Sequence, residues 1–163
     1  MATIQFKTGD DYLAKLSKLE VLTRTEVCGG AIYAAADIMA DAIRDELEKV
    51  PTDETVGTSA NPASGPKKIQ KEGLLRSLGI AKLRDDGTGF LNVKIGFDGY
   101  NRVKTARWPN GQPNQMVARS VDSGTSWMKK NPFAKRAVSK TRKKALETMR
   151  QHVDTSIEKI MKG

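Results

Sequence analysis

The chain has 163 residues, with 28 Lys and Arg against 19 Asp and Glu, one cysteine and one histidine, and a formal net charge of +9 at neutral pH. That length suits one domain, residues 1–163, built around a single core; the lone Cys28 excludes an intrachain disulfide, and residues 1–30 hold no apolar run behind a basic start, so the cytoplasm is the expected compartment. The most apolar run, Ala31 to Ala36, is too short to span a bilayer and is followed by Asp37, so a soluble chain without a membrane segment is expected.

In chain order, Thr3 to Lys7 alternates, with Ile4 and Phe6 on one side, which predicts a short strand ended by Gly9. Asp10 or Asp11 then caps a helix with Leu13, Leu16 and Leu19 on its apolar face. Thr23 and Glu26 have capping-box spacing and open a second, longer helix that runs to about Lys49 and closes at Pro51. Val27, Ala31, Ala34, Ile38, Ala42 and Leu47 supply its buried side. Gly29 and Gly30 within it each cost about 1 kcal/mol relative to alanine, which points to a kink, a close crossing or a later helix start. Cys28 beside them reads as a small buried hydrophobe, because His152 is remote in sequence.

Residues 52–72 combine Pro62 and Pro66 with Gly57, Gly65 and several Ser and Thr, without apolar period, and predict a flexible loop. Gly57 to Lys68 has the outline of a phosphate-binding loop, but Pro66 follows the last glycine where lysine is required, and a helix precedes it. Leu74–Arg84 and Phe90–Phe97 alternate in part around an Asp-Asp-Gly-Thr-Gly link, predicting a β-hairpin. After an irregular stretch around Trp108, Met116 to Val121 predicts a further strand, ended by Asp122 to Thr125. Strands grouped between helices give an α+β fold, with a small antiparallel sheet packed against long N-terminal and C-terminal helices.

The last helix is the most informative element. From Pro132 onward Ala134, Val138, Thr141, Ala145, Met149, Val153 and Ile160 recur at helical spacing and form its buried side. Arg136, Lys140, Lys143, Glu147 and Arg150 form a second stripe. Residues 129–150 hold nine basic side chains (Lys129, Lys130, Lys135, Arg136, Lys140, Arg142, Lys143, Lys144 and Arg150) against Glu147 alone. Like charges at i,i+4 destabilise an isolated helix by roughly 0.2–0.5 kcal/mol per pair, so stability does not call for them. A DNA or acidic-partner contact through Lys129, Lys130, Arg136, Lys140, Lys143 and Arg150 is the expectation, with Trp127, Pro132 and Phe133 anchoring the helix.

Chemistry-bearing motifs are otherwise scarce. One Cys and one His do not make a zinc site without several carboxylates, and no nucleophile turn or Ser/His/Asp spacing is evident. No catalytic, cofactor-binding or metal-binding residue is assigned, and no enzyme is expected. A free-standing basic nucleic-acid-binding protein is the alternative, since the Lys/Arg stripe is the right electrostatic footprint. Against it, the aromatics are not interleaved with the basic run as a stacking platform requires.

Several of these runs together resemble a known family. A long helix ending in proline, Gly73 to Leu78 (Gly-Leu-Leu-Arg-Ser-Leu), Val121 to Ser126 (Val-Asp-Ser-Gly-Thr-Ser) and Asn131-Pro132-Phe133 opening a final helix resemble the tailed-phage family typed on gene product ten of phage HK ninety-seven. This chain places Glu72 where the family has threonine before the glycine, and a longer segment separates Pro51 from Gly73. The resemblance implies a structural virion protein that joins head and tail as part of the neck (tail completion). It would assemble in the host cytoplasm as a ring, a hexamer, between the head connector and the tail terminator or tail tube proteins, with non-specific contact to packaged DNA and no cofactor.

Overall fold

A computed structural model describes residues 26–88 and 90–162, together with Ser17. The strand expected at Thr3 to Lys7, the helix capped by Asp10 or Asp11 and the Thr23 half of the capping box lie outside the described residues. Among the described residues the order is α1 (Cys28–Glu48), α2 (Lys68–Ser77), β1 (Leu78–Ile80), β2 (Arg84–Asp85), β3 (Leu91–Asn92), β4 (Ile95–Phe97), α3 (Asn114–Ser123) and α4 (Phe133–Lys162). The fold is α+β.

Helix α1 ends where expected, at Glu48 before Pro51. Its buried face includes Ala31, Ala35, Ala36, Ala40, Ile43 and Leu47, whereas Ala34, Ile38 and Ala42 are half-buried. Two neighbours claim different sides of this helix, which widens the buried arc beyond the single stripe read from the sequence. One is the hairpin, where an added Cβ on Gly29 would come within 2.8 Å of Leu83 Cδ2. The other is α4, where a Cβ on Gly30 would come within 2.7 Å of His152 Cε1. The glycine pair therefore marks close crossings.

The segment before α2 is shorter than the expected loop, because Lys68 to Glu72 are already helical. Pro66 leads in, and Gln70 reaches back to accept from the Lys67 N–H at 2.9 Å, which satisfies one free donor of the first turn. The hairpin that follows is also narrower than expected. Leu74 to Ser77 belong to α2, and only Leu78 onward is extended. Leu78 pairs with Phe97 and Ile80 with Ile95, then Arg84 pairs with Asn92. Between the two ladders the outgoing chain holds one residue more than the returning chain, and this splits the sheet into two short antiparallel pairs.

Met116 to Val121, expected as a strand, lies inside helix α3. The reason is visible in the spacing: Asn114, Val117, Ala118 and Val121 are the buried positions, at three- and four-residue intervals that a strand would place on both faces. Pro113 immediately precedes the helix and Gly124 follows it at φ 75°, a pattern of Pro entry and Gly exit that suits a helix.

Helix α4 starts at Phe133, as the Pro-Phe entry predicts. The Asp122 carboxylate accepts from the Ala134 N–H at 3.0 Å, placing negative charge at the helix N-terminus, where it is favoured. Phe133 is fully buried and meets Phe97 edge-on, with ring centroids 6.1 Å apart. Around it Ile43, Leu47, Val50, Leu74, Leu78, Val117, Val121 and Ala137 form the core. Val138, expected on the buried stripe, is 41% exposed. Thr141 and Ala145 of that stripe are half-buried and buried as expected, and Ala137, one position before Val138, is buried in its place.

Candidate functional site

The cationic stripe is divided by one buried acid. Glu46 lies on α1 at the position four residues beyond Ala42 and is 4% exposed. Its Oε2 accepts from Arg136 Nε at 2.8 Å, and its Oε1 from Lys140 Nζ at 2.5 Å and Lys49 Nζ at 3.0 Å. Arg136 also donates through Nη2 to Asn131 Oδ1 at 2.7 Å. The bonds from Arg136, Lys140 and Lys49 hold the Glu46 carboxyl down at about 2, against 4.5 for an unperturbed glutamate. A carboxylate accepting several charged hydrogen bonds stays ionised in spite of its burial. Arg136 and Lys140, expected to face a partner, are thus tied to Glu46 within the molecule, with side chains that remain 38% and 62% exposed.

The other predicted contact residues remain outward. Lys129, Lys130 and Lys143 are exposed and carry no ion pair among the described residues. Arg150 stands 3.9 Å from Asp154 one turn on, a long pair between exposed groups that contributes little. Lys129 and Lys130 sit on the segment leading into α4, separated from Lys143 by the first turns of the helix. Such ammonium groups on long stems can neutralise phosphates or carboxylates without reading sequence.

The anchoring residues also divide. Phe133 fills the core and Pro132 is half-buried, whereas Trp127 is 64% exposed and does not plug the core beside it. The backbone at that position does the holding. Ala63 N–H donates to the Trp127 carbonyl at 2.9 Å, and Lys129 N–H donates to the Ala63 carbonyl at 2.8 Å, clamping the 52–67 segment to the entry of α4.

That segment has its own organiser. Asp53 accepts from the Thr55 N–H and hydroxyl at 2.9 and 2.6 Å, and from the Ser64 N–H and hydroxyl at 2.8 and 3.0 Å. These bonds hold its carboxyl well below the usual carboxylate range, Thr55 contributing most. Between this loop and the chain around Trp108 lies a groove of about 650 Å³, whose lining includes Val56, Val103, Trp108, Met116, Trp127 and Met128. The Arg107 guanidinium lies 5.7 Å from the centre of the Trp108 ring, within cation–π range. Sequence reading missed both this groove and Glu46. The groove left no periodic signal, but Glu46 did, since it continues the four-residue series Ile38 and Ala42.

Among the described residues no group of three or more His, Cys, Asp and Glu is placed to hold a metal ion, and no helix is long and apolar enough to cross a membrane. No protein-family model, curated protein or solved structure matches this chain.

Proposed function

We propose that the chain is a structural neck protein of a tailed-phage virion, a tail-completion subunit that assembles as a ring around the DNA channel and joins the head connector to the tail. The observation that supports this reading is the behaviour of the residues that carry the family resemblance. Val121 to Thr125 and Pro132-Phe133 together form the fastening of α4: Gly124 turns the chain out of α3, Asp122 caps α4 and Phe133 plugs the core. A sequence run that fixes the longest helix in place suits a subunit that assembles through a rigid scaffold.

The distribution of charge supports an assembling subunit over a free-standing nucleic-acid binder. Glu46 ties Arg136 and Lys140 into the fold, and Asp37, Asp41, Asp45 and Glu48 of α1 stay on the surface. The test is particle composition. Mass spectrometry of purified particles from a phage encoding this chain should find it in virions at a few copies each. Deleting its gene should give filled heads and free tails that fail to join. A chain missing from virions, with joining unaffected by the deletion, would overturn the reading and return the basic nucleic-acid-binding alternative.

A further inference from the structure

The two longest helices each carry an exposed stripe that nothing in the described chain covers. On α1 it consists of Asp37, Asp41, Asp45 and Glu48, at helical spacing, all exposed and none in an ion pair among the described residues. On α4 it consists of Lys135, Val138, Arg142 and Leu146, spaced three, four and four residues apart. Lys135 and Arg142 are exposed and without an acid partner among the described residues, and Val138 and Leu146 are 41% and 56% exposed. This stripe is distinct from the one bound to Glu46. Two cations alternating with two exposed aliphatic side chains make an apolar face with charged guides, a pattern that a protein partner satisfies better than a phosphate backbone does.

We propose that these stripes meet across copies, the acidic face of α1 in one subunit docking on the Lys135–Leu146 face of α4 in the next. The inference gives the ring of the proposed neck protein its contact surface, and to that extent rests on that reading. Complementary charge is one argument for a second copy as the occupant; height is the other. Helices α1 and α4 run antiparallel, since Gly30 crosses α4 at His152 and Glu46 is bonded to Arg136 and Lys140. On that frame Glu48 stands level with Lys135, and Asp41 stands level with Arg142. A neighbour related by rotation about an axis along the helices therefore brings acid to cation without climbing. Head-to-tail contacts of that kind close into a ring, whereas a contact with a rise would give a filament.

The test uses two full-length variants, Asp41→Lys with Glu48→Lys, and Lys135→Glu with Arg142→Glu, followed by sedimentation velocity at low salt. All four side chains are exposed and free of ion pairs among the described residues, so the fold should persist, and circular dichroism checks it. Wild-type protein should sediment as a ring that loosens as salt screens the contact. Each variant alone should lose the ring species, and an equimolar mixture should regain it, because each reversed face then meets its reversed partner. The recovery also shows that both variants fold. If either does not, Asp41→Asn with Glu48→Gln takes its place and should weaken the ring without abolishing it.

A wild-type ring that survives both reversals, or a mixture that stays dissociated, would overturn the contact surface and leave the neck reading to its own test in virions. A wild-type chain that remains monomeric at low salt, and loses duplex DNA binding when Lys135 and Arg142 are reversed, would overturn it in favour of nucleic acid on that face.

Discussion

Glu46 and Arg136 stand ninety residues apart in the chain and meet at 2.8 Å, the carboxylate buried on α1 and the guanidinium half-exposed on α4. Lys140 and Lys49 complete the cluster, so the first turns of the basic helix are tied to the end of α1 by charge as well as by Phe133 and Ala137. Residues that look in sequence like a presented surface therefore hold two helices together.

The pH dependence follows from the depressed Glu46 carboxyl. Its folded value near 2 lies below the ordinary 4.5, so its contribution to stability is fully present above pH 4.5 and is lost as pH falls toward 2. Thermal melts of the wild type should hold steady from neutrality to about pH 5 and then fall. Glu46→Gln should lower Tm by several degrees at pH 7, since it leaves Arg136 and Lys140 without their counter-charge, and should approach the wild type near pH 2. Equal offsets at both pH values would show that the carboxylate charge is not what holds α4.

Phe133 and Trp127 separate the two meanings of an aromatic near a helix entry. Phe133→Ala removes a ring with no exposed surface and should cost roughly 3–5 kcal/mol, a large share of the roughly 5–15 kcal/mol that stabilises a small domain. Trp127→Ala should stay within about 0.5 kcal/mol, as exposed substitutions generally do. Urea titrations of the two variants check this, and a Trp127 effect as large as that of Phe133 would place the indole in a contact of structural weight.

Gly30 and His152 offer a paired test of the helix crossing. Alanine in place of a helical glycine gains roughly 0.5–1 kcal/mol when there is room, but here the new Cβ would lie 2.7 Å from the imidazole. Gly30→Ala should therefore lower Tm in the wild type and raise it in a His152→Ala background. The double-mutant cycle reads that coupling directly. The same effect in both backgrounds would mean that the ring moves aside freely.

Much of this architecture was legible in the sequence because local signals agreed: Pro51 ends α1, Pro132-Phe133 opens α4, and Leu78 to Phe97 forms a hairpin. Met116–Val121 is helical where a strand is expected, since Val117 and Val121 are four apart, at helical period, and flanked by Pro113 and Gly124. Residues 52–67 have no period because their order comes from Asp53, whose partners Thr55 and Ser64 lie up to eleven residues away. The division of the cationic stripe could be anticipated only by asking what Glu46 meets on the facing helix. Trp127 misled because its ring and its backbone have different roles, and sequence does not distinguish them.

The remaining free cations make the last prediction, which concerns DNA in the channel of the proposed ring. With Arg136 and Lys140 bonded to Glu46, the outward contact residues that make no ion pair among the described residues are Lys129, Lys130 and Lys143. Contact there is expected to be non-specific, because a genome that passes through a neck slides best where no sequence is read. If each subunit neutralises three phosphates, duplex affinity per subunit should fall roughly 40-fold between 50 and 200 mM salt, with a slope of about −0.9 per phosphate. Lys129→Glu, Lys130→Glu and Lys143→Glu combined should abolish that salt-dependent binding while leaving Tm unchanged. Arg136→Glu should instead lower Tm, since it sets a second acid against the buried Glu46. Fluorescence anisotropy with duplex DNA and thermal melts separate the two outcomes. A triple variant that binds DNA as the wild type does would remove these lysines from the channel and assign them to a protein neighbour in the neck.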